Sequence, residues 1–274
     1  ALRQSELSWA CRNYRNVIVA VRDASIELCI PGCVRAKSCC LPGEVCNADL
    51  SVLRPSLLLG LSISIGSAAV ENAEQAVPLP TPVFDGGVSI EHALAARRTI
   101  RRFSGTPLRL AELGQLLWAA QGVTHKAGYR TAPSAGALYP LELFVIAGNV
   151  DELTPGIYRY RPARHDITRH IPGDQRGRIA LAALQQDWIA EAPAILVLTS
   201  VRVRTSTKYG LRSDRYIAME AGHAAQNVYL QCIGLGIATA LVGAFDDDVV
   251  RDVLDLGRGF TPLAIMPLGH VRRD

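Results

Sequence analysis

The adjacent residues Lys208 and Tyr209, in the stretch TSTKYGLR, are the pair in this chain best suited to moving a proton. Burial lowers an amine's pKa so that it can act as a base, and a neighbouring phenol can position it or relay the proton. A second constellation is RRTIRRF, where Arg97, Arg98, Arg101 and Arg102 surround the hydroxyl of Thr99. Guanidinium forks bind phosphate bidentately, so the cluster suits a phosphate cradle. Favourable charge at a helix C-terminus and a solvated face account for the same residues, and taken alone the cluster favours that reading. A third is TAPSAGALYPLELFV, with Pro133, Ser134, Ala135 and Gly136 ahead of Pro140. Small residues let a flat ligand approach the backbone, and prolines fix the loop beforehand; a tight turn draws on the same residue types. In ALVGAFDD, Val242 and Gly243 end an apolar stretch with bare backbone that could face a ligand.

Other chemistry-bearing residues have simpler readings. His223 has no second ligand at i+4 and reads as an interior histidine, not a metal ligand. Asp246, Asp247 and Asp248 read as an N-cap with acidic residues in the first helical turn, and no metal site is expected.

These groups need elements to hold them. Ser89 is a helix N-cap, and Ile90, Ala93, Leu94 and Ala96 follow at helical spacing up to the arginine cluster. Residues 108 to 123 form an amphipathic helix stopped at Gly122, in which Trp118 is a core residue. Further helices are expected at 174 to 187 and 214 to 233; the latter, rich in alanine and carrying Gly222, reads as a buried central helix shared with a second subunit. Strands are expected at 141 to 148, 156 to 160, 194 to 200, 236 to 243 and 262 to 270. The mixture predicts an α+β fold, a sheet with helices on its faces.

The 274 residues, 49% hydrophobic, can bury one large domain or two small ones. A net charge of +4 suits anionic small ligands and is too dispersed to indicate nucleic acid. Cys11, Cys29, Cys33, Cys39, Cys40 and Cys46 crowd the first 46 residues in spacings that match no zinc pattern, which sets residues 1–49 apart from the working fold. Residues 50–87 hold an uncharged run after Arg54, closed by Ser67, Ala68 and Ala69, and then a Pro/Gly linker over 76 to 87. The run has the layout of a secretory signal, with a buried helix or a disordered leader as alternatives. The protein is therefore expected to be cytoplasmic, or exported if that segment acts as a signal. Residues 88–274 carry the chemistry.

Taken in order, RRTIRRF, LLWAAQGV, TAPSAGALYPLELFV, PGIYRY, TKYGLR, EAGHAAQNVYLQ, GLG, VGAFDDD and PLGH resemble the SagB-type dehydrogenases of the FMN-dependent nitroreductase superfamily over about residues 88 to 272. The resemblance implies a mixed, mainly antiparallel sheet and a homodimer with two FMN sites at the subunit interface. It implies that Arg97, Arg98, Thr99 and Arg101 contact FMN early in the chain and that Pro133, Ser134, Ala135 and Gly136 lie along the isoalloxazine ring. It likewise implies that Val242 and Gly243 turn a backbone N–H to flavin N5 and that Arg272 and Arg273 lie near the phosphate. Lys208 and Tyr209 match the pair that deprotonates substrate when a thiazoline or oxazoline, including one in a peptide, is oxidised to an azole. A general nitro, quinone or other small-molecule reductase drawing on NAD(P)H is the alternative function, and a non-catalytic scaffold a third.

Overall fold

A computed structural model of the chain describes residues 76–272 and, in backbone only, two short strands, β1 (Ile18–Arg22) and β2 (Ser25–Cys29). The chain divides into two compact units, Ala1–Ser67 and Ala68–Asp274. In the first, β1 and β2 pair antiparallel, with Arg22 opposite Ser25. Five of the six early cysteines and the signal-like run lie outside the described residues. Among the described residues no helix is long and apolar enough to cross a membrane.

The second unit is built on a seven-stranded sheet in the order β3-β6-β5-β4-β7-β9-β8, antiparallel at every pairing. Its strands are β3 (Ala76–Pro78), β4 (Leu141–Ala147), β5 (Gly156–Arg161), β6 (Asp166–Pro172), β7 (Ala194–Val201), β8 (Ile237–Thr239) and β9 (Phe260–His270). The middle strands β4 and β7 are buried along nearly their whole length, as strands covered on both faces must be. One face packs Phe144, Ile146, Ile195 and Val197 against α3 (Arg176–Ala182) and α6 (Asp247–Val253). The other packs Leu143, Val145, Leu196 and Leu198 against α2 (Leu110–Gln121) and the long α5 (Ser213–Leu235). Helices α1 (Ile90–Ala96) and α4 (Val203–Tyr209) flank α5.

Several expectations need correction. The segment 76 to 87 is extended but not a free linker: β3 pairs with β6, Leu79 is buried in the core, and Val83 exchanges two hydrogen bonds with the side chain of Gln115. The expected strand at 236 to 243 shrinks to β8, because Gly236 takes a left-handed φ as the C-cap of α5 and Val242 joins β9 only by an isolated bridge to Ile265. The polar stretch holding Lys208 is helix α4, and β6 adds a strand not foreseen. His223 is exposed on the single chain, not interior. Ser89 does cap α1, accepting from the His92 amide, and Asp246 caps α6, accepting from Asp248 and Val249.

Candidate functional site

The loop 133–140 is held in an unusual backbone shape. Gly136, Ala137 and Tyr139 all have positive φ, of 64°, 54° and 46°. For alanine and tyrosine this conformation is strained, and it persists only where the surroundings over-determine it. They do so at Tyr139. Its amide donates to Ser134 Oγ at 2.9 Å, its carbonyl accepts from Arg204 Nη1 at 3.0 Å, and its ring lies under the Arg130 guanidinium at 4.4 Å. Arg204 also pairs with Glu142 at 2.5 Å, tying α4 to the start of strand β4.

That tie brings the proton-moving pair to the loop. A Cβ built on Gly136 would lie 2.8 Å from the Tyr209 hydroxyl and 3.0 Å from Lys208 Nζ. Glycine is needed there twice over, for its φ and for the absence of a side chain. The Tyr209 ring packs edge-on to Tyr216 of α5 at 4.9 Å, and Lys208 Nζ sits 5.4 Å from the Tyr209 ring. Lys208 is exposed and Tyr209 half-buried in the single chain. Beneath the loop, Glu220 of α5 is buried at 2% exposure, and burial pushes its carboxyl up to about 7 against the opposing pull of the Ser134 hydrogen bond and Arg130.

The arginine cluster gathers around a different stretch of α5. Arg97 lies over the Tyr229 ring at 5.1 Å and Thr99 Oγ1 is 3.4 Å from the Tyr229 hydroxyl, which also accepts the Leu241 amide at 2.7 Å. Arg98 folds back onto the carbonyls of Ala95 and Arg97, and Arg101 lies over Trp188 at 5.6 Å. The bridge between Phe103 and Val271 sets Arg272 beside the cluster; Arg273 lies outside the described residues. Ile100 donates to the Thr239 carbonyl, so the cluster runs alongside β8 and the strand end at Val242 and Gly243. The Val242 amide is bonded to the Ile265 carbonyl at 2.8 Å, whereas Gly243 is exposed with open space at its Cα.

The structure thus forms two groups. One is Pro133–Gly136 with Lys208, Tyr209 and Glu220; the other is Arg97, Thr99, Tyr229, the 241–243 strand end and Arg272. Glu220 and Tyr229 are nine residues apart on one helix, about 13 Å along its axis. A cavity of about 740 Å³ lined by Phe84, Ile90, Trp118, Leu230 and Leu235 contains none of these residues. Sequence reasoning missed Arg130, Tyr139, Arg204, Glu220 and Tyr229. Of these only Tyr139, next to the small-residue loop, carried a local signal. Among the described residues no cluster of His, Cys, Asp and Glu could hold a metal ion.

The nitroreductase family model matches residues 94–270. A protein of Methanocaldococcus jannaschii named as a candidate nitroreductase is 44% identical over 183 residues, 67% of this chain and 91% of its own length. The microcin B17-processing protein McbC of Escherichia coli is 25% identical over 53% of this chain and 56% of its own. A crystal structure of a candidate nitroreductase from Ralstonia eutropha superposes with a TM-score of 0.65 at 27% identity, covering 74% of this chain and 92% of that one. The sheet order, the match over residues 94–270 and the 44% identity agree: this chain belongs to the nitroreductase family, an oxidoreductase that uses FMN.

Proposed function

We propose that the protein is a SagB-type dehydrogenase that oxidises a thiazoline or oxazoline ring, free or within a peptide, to the aromatic azole, with Lys208 as the base. The observation that carries this reading is the seating of Lys208 Nζ and the Tyr209 hydroxyl on Gly136, in the loop that by resemblance lies along the flavin ring. The similarity to the microcin B17-processing protein McbC also supports it.

The residues present fit FMN. Gly136 gives a surface with no side chain, Gly243 is open to a ligand, and Arg97, Arg101 and Arg272 supply cations for a phosphate. Held by these residues, FMN would supply the hydride acceptor for the oxidation. Lys208 removes the ring-carbon proton, and Tyr209 orients its amine or passes the proton on. Because Lys208 is exposed in the single chain, the desolvation that a base requires comes from what covers it: the ligands, and a second copy of the chain. Arg97, Arg98, Thr99 and Arg101 hold phosphate and ribitol, Arg98 by leaving its two backbone carbonyls.

A homodimer with two FMN sites shared between subunits accounts for the two groups of residues that meet α5 at different levels, and NAD(P)H is the electron donor for the alternative reading. That alternative, a general reductase of nitro compounds or quinones, is favoured by the M. jannaschii relative, whose name states nitroreductase and nothing of azolines. The two readings part at Lys208. Lys208→Ala is expected to retain FMN and to lose about 10² to 10⁴ in the substrate-oxidation half-reaction, with flavin reduction by an external hydride donor intact. Equal, small losses in both half-reactions would make the general reductase the better reading.

A further inference from the structure

Helix α4 carries the Lys208–Tyr209 pair, yet burial anchors it weakly, since of its seven residues only Thr205 is buried. The Val201 amide bonds to the Pro140 carbonyl at 2.8 Å, which brings the start of α4 beside the end of the ring-side loop without fixing the turn of the helix about its own axis. The contacts of Tyr209 with Tyr216 and of Arg202 with Asp214 hold α4 to α5, not to the loop. Arg204 supplies the link to the loop. Its Nη1 donates to the Tyr139 carbonyl at 3.0 Å and its Nη2 pairs with Glu142 Oε1 at 2.5 Å, one prong of the guanidinium on each. Glu142 is itself held in place, because its Oε2 accepts from Nε and Nη2 of Arg159 on β5 at 3.1 and 3.0 Å. Arg204 and Lys208 stand four residues apart and so share one face of α4.

We propose that Arg204 is a positioning residue for Lys208 and Tyr209: its fork clamps α4 to the carbonyl of the strained Tyr139, and the place of the base against Gly136 follows from that clamp. The proposal rests on the reading of Lys208 as the base. The clamp acts at both of its ends. On the loop, Tyr139 keeps its φ of 46° with its ring under Arg130 and its carbonyl on Arg204. On the helix, a grip on residue 204 turns residue 208, one turn further on, toward Gly136, where a built Cβ would lie 3.0 Å from Nζ. Charge-assisted hydrogen bonds suit the task because they are shorter and about twice as strong as neutral ones. Arginine suits it better than lysine, because a rigid planar fork loses less freedom for each bond it forms and meets two acceptors at once. A misplacement of about 1 Å at a reacting group can cost 10²-fold in rate, so slack in α4 is felt in the proton transfer before it is felt in folding.

The test uses the full chain loaded with FMN and, as probe, a short peptide carrying one thiazoline ring, with the bleaching of bound flavin read in a single turnover at saturating peptide. Arg204→Met is expected to slow this step by roughly 10-fold to 100-fold, with a smaller loss in FMN affinity and an unchanged far-UV spectrum. Arg204→Lys, which keeps the charge but not the fork, should recover only part of the rate, and Glu142→Gln, which loosens the clamp from its far end, should lose rate in the same direction by less. The decisive comparison is with Lys208→Ala. If Arg204 acts through Lys208, the double variant is no slower than Lys208→Ala alone, whereas a residue that only supports the fold adds its full factor. An additive double variant, or a wild-type rate in Arg204→Met beside an impaired Lys208→Ala, overturns the proposal. Amide exchange at Tyr139 on the loop and Gly210 at the end of α4, measured without flavin, tests the clamp apart from the chemistry. Arg204→Met is expected to speed exchange at both by about tenfold or more, the scale of a lost charged hydrogen bond. Unchanged exchange at both overturns the clamp. If the wild type leaves the probe unoxidised, or Lys208→Ala oxidises it as fast as the wild type, the reading of Lys208 as the base falls, and faster exchange in Arg204→Met still upholds the clamp.

Discussion

At the scale of single residues, the site is built from side chains held against their own preferences. Tyr139 occupies a left-handed backbone well because three partners hold it there, and Glu220 keeps a carboxyl on the buried face of α5 with one oxygen unpartnered among the described residues. Such arrangements cost stability, and the cost of Glu220 has a definite pH sign. Its folded-state pKa is raised, so between the ordinary carboxylate range and about 7 the native state binds the proton that the unfolded state has lost. The stability of the wild type therefore falls as pH rises through that window. Glu220→Gln has no proton to lose, and relative to the wild type it is expected to be more stable at pH 8 than at pH 5 by roughly 2 to 3 kcal/mol. Denaturant melts of both proteins at the two pH values check this, and a difference that does not change with pH would show that the carboxyl titrates in its ordinary range.

At the scale of elements, the sheet strands were legible in the sequence where apolar runs are long, and they failed where tertiary pairing decides. Runs such as AILVLTS and LELFVIA announce strands buried on both faces. Nothing local in AVP announces β3, which is a strand only because Asp166–Thr168 of β6 offer it an edge. Helix α4 was hidden for the opposite reason, as its seven polar and β-branched residues carry no apolar stripe. At the site, the residue types with obvious chemistry could be named from sequence. Their supports could not, because Arg204 reaches the loop from a distant part of the chain, and nothing local in Arg130, just upstream of Pro133, says that its guanidinium will lie over the Tyr139 ring. Finding β3, Leu79 and the Val83–Gln115 pair inside the unit moves the expected tolerance to truncation. Removing residues 1–67 should leave the cooperative unfolding of the second unit intact, whereas removing 1–87 should lower its stability by about 2 to 5 kcal/mol, the cost of uncovering a buried leucine and two hydrogen bonds. Thermal unfolding of the two truncations, side by side, decides; equal midpoints would return the segment to the status of a linker.

At the scale of the whole molecule, the single chain leaves uncovered one face of α5, the longest helix among the described residues. Along α5, Arg215, Ala218, Met219, Gly222, His223 and Gln226 are exposed, and a Cβ on Gly222 would meet nothing within 4 Å. Small residues in such a stripe allow another helix to approach closely, and Met219 at 54% exposure, with Leu211 at 95% near the helix start, adds apolar surface. The two groups of candidate residues sit at different levels of this same helix, so a second copy laid across it would cover Lys208 while supplying its own arginine cluster. In the proposed homodimer, association and flavin binding would therefore be linked. Replacing Gly222 with Arg puts a charge into the stripe without touching the loop, the Lys208–Tyr209 pair or the arginines. The variant is expected to sediment as a monomer and to lose tenfold or more of its FMN affinity, about 1.4 kcal/mol per tenfold, while retaining its far-UV spectrum. Wild-type FMN affinity should likewise weaken when the protein is diluted through its dimerisation range. A Gly222→Arg monomer that binds FMN as tightly as the wild type would show that one chain completes the site, and the exposed stripe would then need another occupant.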